Sequence, residues 1–124
     1  MMTFQTITVG DVAEIHRLVH SARDGGTPDT YNGKRRHPRV KNELPLEVML
    51  DTETGNDVHS ASMHNVSEGG MAFWTKVRVE RGRTAFIRQF SGESPHAWVK
   101  ARVSHVTRGI RGFLVGCGFK TRTP

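Results

Sequence analysis

Two short runs of the sequence carry side chains able to hold a phosphate or a nucleobase. In Lys34-Arg35-Arg36-His37-Pro38-Arg39, Arg35 and Arg39 are spaced i, i+4. A guanidinium presents a planar fork of donors. It pairs bidentately with phosphate or with the O6 and N7 acceptors of guanine, and its flat face stacks on a base. Pro38 stiffens the run, so it need not be helical. The second run is Asn65-Val66-Ser67-Glu68-Gly69-Gly70. A side-chain amide offers both donor and acceptor to a base edge, and a hydroxyl with glycine backbone amides can reach a phosphate. Each run alone has a plain alternative: a solvated basic patch for the first, a turn for the second. Together they are more specific. The 25 residues between Arg39 and Asn65 are enough for one strand, a turn and a second strand.

Other chemistry is thinly represented. No paired carboxylates, phosphate loop, metal cluster or nucleophile–base pair stands out, so no catalysis is expected and no cofactor is implied. His16 and His20 have the i, i+4 spacing of metal ligands, but no third ligand lies nearby in sequence and they read as surface histidines. His37 could lend pH sensitivity to the basic run, though a bystander role fits as well. His59, His64, His96 and His105 are scattered over strands. Cys117, between two glycines, reads as a small core residue. Trp74 and Trp98 oppose the main apolar faces of their strands, where one could meet a helix or a base. Gly112, Gly116 and Gly118 share a face with Leu114 and leave room for a close neighbour, helix or ligand.

The elements that must position these residues follow from periodicity. Val12, Ile15, Leu18 and Val19 line one face of a helix over 11–22, with Asp11 as a possible N-cap and Gly25-Gly26 as the stop. Such a helix is too short to stand alone and must dock. Thr3 to Val9 alternates weakly, as a short strand would. Residues 23–34 are rich in glycine, proline and short polar residues, the composition of a linker. From residue 43 the period becomes two. Leu44, Leu46, Val48 and Leu50 share a face, and 51–56 is a turn cluster. Val58 to His64 forms a second strand. Met71, Phe73 and Val77 alternate in a third, and Thr84 to Phe90 is a fourth. Ala97, Val99, Ala101 and Val103 mark the fifth, with a turn at 107–109. Phe113, Val115, Cys117 and Phe119 line the last. Six short strands with turns at this spacing predict an all-β antiparallel barrel or sandwich, and the lack of strand–helix alternation argues against a parallel fold.

The 124 residues fit one domain. A net charge of +6 points to an anionic partner without naming it. A single cysteine fits a reducing compartment. The first ten residues lack a secretory pattern, and no apolar run reaches the ~18 residues that a membrane helix needs. A cytoplasmic location without membrane insertion is therefore expected. Asn65-Val66-Ser67 matches a glycosylation sequon, read as chance without an export signal.

With Arg35, Arg39, Asn65, Ser67 and Gly70 in this order and spacing, the sequence resembles the PilZ domain family. The family's pattern is Arg-x-x-x-Arg followed at a distance by Asp/Asn-x-Ser-x-x-Gly, and every motif position is filled. The last strand, 112–119, resembles the family's closing strand. The resemblance covers about residues 33–122, leaving 1–32 as an N-terminal helix and linker. It implies a six-stranded barrel that binds the bacterial second messenger cyclic di-GMP, which carries two guanines and two negative phosphates. It also implies roles. Arg35 and Arg39, with Lys34 and Arg36 beside them, would grip guanine edges and phosphates from a mobile arm. Asn65 would bond a guanine edge. Ser67, Gly69 and Gly70 would shape the strand end beneath the ligand. Lys34 holds the position implied to influence whether one ligand or a stacked pair binds. Binding would order the arm against the barrel and pass the signal to an unknown downstream protein. Many such domains carry a helix after the barrel; here the helix at 11–22 is expected to cover the same open end.

Two alternatives remain. One is a small basic barrel binding RNA or single-stranded DNA, against which stands the lack of a stripe of aromatics interleaved with basic residues. The other is a PilZ barrel that acts only as a protein-interaction module, against which stands the intact motif.

Overall fold

The computed structural model describes residues 10, 12–28, 39–52, 55–90 and 97–120. The helix α1 spans Val12–Arg23, and eight strands follow: β1 (Thr27–Pro28), β2 (Val40–Lys41), β3 (Pro45–Thr52), β4 (Gly55–Val66), β5 (Gly70–Thr75), β6 (Thr84–Gln89), β7 (Val99–Gly109) and β8 (Gly112–Phe119). Six of them close on themselves in the order β4-β3-β6-β7-β8-β5 and back to β4, every pairing antiparallel. The expected six-stranded barrel is the one observed.

Alternation builds the core. Leu46, Val48 and Leu50 of β3 point inward, as do Met71 and Phe73 of β5, Ala85 and Ile87 of β6, Val99, Ala101 and Val103 of β7, and Val115 and Cys117 of β8. Two bulges interrupt the period, at Met63/Asn65 in β4 and Val103/His105 in β7. A bulge bends its strand and re-aims the side chains beyond it. The first lies immediately before Asn65.

Helix α1 docks through its apolar stripe. Ile15, Leu18, Val19 and Ala22 are buried and join the same core cluster as the barrel interior. Leu18 lies close to Arg88, Gln89 and Val99. The Asn42 side-chain amide donates to the Ala22 carbonyl over 2.8 Å, closing one of the orphan carbonyls of the helix end. Gly25, at φ 85°, then turns the chain where the sequence signalled a stop.

Several expectations need correction. The 23–34 segment is not wholly a linker: Arg23 ends the helix, and Thr27 and Pro28 pair with Lys41 and Val40. The turn expected over 51–56 is tighter, because the β3–β4 ladder runs on to Thr52↔Gly55. β7 continues through the turn expected at 107–109 and reverses at Ile110 and Arg111. Val77 follows β5 instead of lying in it. The space beside Gly116 is filled by neither helix nor ligand: a Cβ there would fall on the His105 imidazole. The possible strand at 3–9 and the N-cap at Asp11 lie outside the described residues.

Candidate functional site

The two motif runs meet at one end of β4. Its last residues, Asn65 and Val66, pair with Lys41 and Val40 of β2 on one side and with Ala72 and Met71 of β5 on the other. Arg39, the residue before β2, is thereby held beside Asn65. Its Nη1 donates to Asn65 Oδ1 over 2.8 Å, across 26 positions of sequence. Asn65 is only 3% exposed, so this bond is made where water competes weakly.

The turn after β4 holds itself together. The Ser67 amide donates to the Gly70 carbonyl over 2.8 Å, and the Ser67 hydroxyl accepts the Gly69 amide over 3.1 Å. Ser67 is buried and its hydroxyl is spent on this turn, while Gly69 is exposed at the apex. Gly70 opens β5 opposite Gly118 of β8, and a Cβ on Gly70 would fall on the Cys117 carbonyl. The backbone approach there admits only glycine. Across the next strand boundary Gly118 faces Arg102 of β7. Among the described residues, its chain neighbours aside, the only heavy atom within 4 Å of a Cβ built on Gly118 is the Gly69 carbonyl oxygen, at 3.9 Å. Register thus sets Gly70, Gly118 and Arg102 in a row across β5, β8 and β7, with little among the described residues over Gly118.

The structure thus brings Arg39, Asn65, Ser67, Gly69 and Gly70 together. Lys34, Arg35, Arg36 and His37 lie outside the described residues. The ends of their segment are nonetheless tied, since Thr27↔Lys41 and Pro28↔Val40 pair as β1 and β2. The described residues on either side of that segment are thus held side by side through β1 and β2, which sequence reading did not foresee. It also did not assign Arg102 or His105 to this surface. Register alone places them there, and strand pairing across a barrel leaves no local sequence signal.

Cys117 lies beneath the site. Burial pushes its thiol up to about 12, and a backbone hydrogen bond with Met71 and the charge of Arg39 offset only part of that shift. It is a neutral core residue with no nucleophilic character at ordinary pH. His16 and His20 are both exposed on α1, and no group of three metal-ligand side chains occurs among the described residues. No described helix is long and apolar enough to cross a membrane.

A closed six-stranded antiparallel barrel, with a self-stapled Asn-x-Ser turn next to the Arg39–Asn65 bond, defines a small β-barrel domain with one candidate site at the end of β4. The chain belongs to the PilZ domain family, whose model matches residues 33–124. That family is one of cyclic di-GMP receptors. No curated protein matches the chain.

Proposed function

We propose that this chain is a non-enzymatic, cytoplasmic receptor for cyclic di-GMP, and that the ligand seats on the barrel surface between Asn65 and the segment that carries Lys34, Arg35, Arg36 and Arg39. The supporting observation is the 2.8 Å bond from Arg39 to Asn65, which joins the two motif runs at one spot on the barrel. Asn65 bonds a guanine edge, the arginines take guanine acceptors and phosphates, Gly69 lets the ligand approach the backbone, and Gly70 shapes the strand end beneath it. The ligand draws Arg35 and Arg36 onto the barrel. Because β2, which follows Arg39, pairs with β4 and runs on to Asn42, ligand contact at Arg39 is passed to the C-terminal end of α1. That ordering of the arm against the barrel is the signal.

Nucleic acid is the weaker reading. Trp98 is buried under the Arg88 guanidinium at 4.1 Å, and Arg111 stands 5.5 Å over Trp74. Neither ring is an open stacking platform.

Amide mapping tests the seat. On titrating cyclic di-GMP into the isotope-labelled chain, the largest shifts are expected at Arg39, Asn65, Ser67, Gly69 and Gly70. Shifts confined to the β3–β4 or β7–β8 hairpins would place the ligand elsewhere and defeat the proposal.

A further inference from the structure

β4 is longer than its neighbour β5. β3 pairs with it from Gly55 to Ser62, whereas β5 pairs with it only from Ser62 to Val66. Among the described residues, no strand pairs with the β5 side of residues 55–61. The Met63 amide donates to the Leu44 carbonyl on the β3 side. Alternation along an antiparallel ladder then turns the N–H and C=O of Ser60 and Val58 toward the open side. Exposed strand edges are usually blunted by proline, bulges or a cover. Residues 55–61 contain no proline, and their register with β3 has no shift.

This edge forms one wall of a groove of about 830 Å³, and the tip of the β7–β8 hairpin forms the other. Ile110 at that tip is fully exposed at 107%, and Trp74 lines the groove beside it. The charged side chains lining it are Lys76 and Arg111; His59 also lines it, no carboxylate occurs among the described lining residues, and Glu43, 3.5 Å from Arg111, stands outside it on the exposed surface. The groove therefore offers backbone donors and acceptors, an apolar contact and positive charge. We infer that it docks an extended segment of a partner protein, acidic and apolar in alternation, which adds to β4 as an extra strand. Its carboxylates would face Lys76 and Arg111, and its apolar side chains Trp74 and Ile110. β5 runs from Gly70 at the candidate ligand site to Thr75 at this groove, so the docking surface is separate from the ligand seat. The inference does not rest on cyclic di-GMP binding.

The test uses the whole chain without nucleotide and a short synthetic peptide alternating glutamate and valine, with a lysine–valine peptide as its counterpart. Hydrogen exchange at the Val58 and Ser60 amides should slow about tenfold or more with the acidic peptide only, the protection expected of strand pairing. Ser60→Pro removes an N–H that no barrel strand uses and should abolish that binding. Arg111→Glu, on an exposed hairpin tip, should weaken the acidic peptide at least about tenfold and admit the lysine peptide. The inference fails if the acidic peptide does not bind, if it binds without protecting Val58 and Ser60, or if both variants bind it unchanged. A concentration-dependent dimer dissolved by Ser60→Pro would also overturn it, by assigning the edge to a second copy of the chain.

Discussion

Arg39 and Asn65 show how a motif becomes a site. In sequence they are a basic residue and a turn residue; in the barrel they share a 2.8 Å bond with Asn65 almost wholly buried. Arg39→Ala and Asn65→Ala should each weaken cyclic di-GMP binding, by roughly 1.5–3 kcal/mol where a charged hydrogen bond is lost. Calorimetry on the double variant should show less than the sum, because either single change already breaks the shared bond. Cys117 gives a second prediction. The unfolded thiol ionises near the ordinary value of 9.0 and the folded one only near 12. The stability this shift contributes is complete below the unfolded value and is lost as pH rises toward the folded one. Melting temperatures of Cys117→Ala should therefore fall less steeply than those of the unaltered chain between those two pH values. The paired motif runs were legible because each names its chemistry. Their neighbours Arg102 and His105 were not, because only cross-strand register brings them near Gly118 and Gly116.

At the scale of elements, alternation and helical period made the six barrel strands and α1 readable to within a few residues, since one face of each is buried. What period could not show was anything that breaks or lacks it. The bulges at Met63/Asn65 and Val103/His105 insert a residue without a sequence signature, and the first of them re-aims Asn65. β1 and β2, at two residues each, are too short to carry a period, yet they hold the residues on either side of the arginine run together. The helix was expected to dock on an open barrel end, and Ile15, Leu18, Val19 and Ala22 do join the barrel core. Leu18→Ala should cost about 2–5 kcal/mol, the usual range for a buried leucine, read from denaturant unfolding. An unchanged midpoint would mean that the helix contributes nothing to the folded core. The same variant should leave the barrel's strand content intact by circular dichroism.

For the whole molecule, the charge of +6 and the closed barrel frame the central claim. A barrel has no spare edge along its closed circuit, so its outer surface and the stretch of β4 that no described strand covers on its β5 side are where partners can be met. A dianionic ligand on a basic chain should bind more weakly as salt rises, since screening shortens the reach of every arginine. Isothermal titration of cyclic di-GMP into the folded chain measures the claim most directly, with the Arg35→Ala/Arg39→Ala double variant run beside it. The expected result is saturable heat for the unaltered chain and loss of at least about tenfold in affinity for the variant. No heat from a folded, concentrated sample, or equal affinity in the folded variant, would contradict the account.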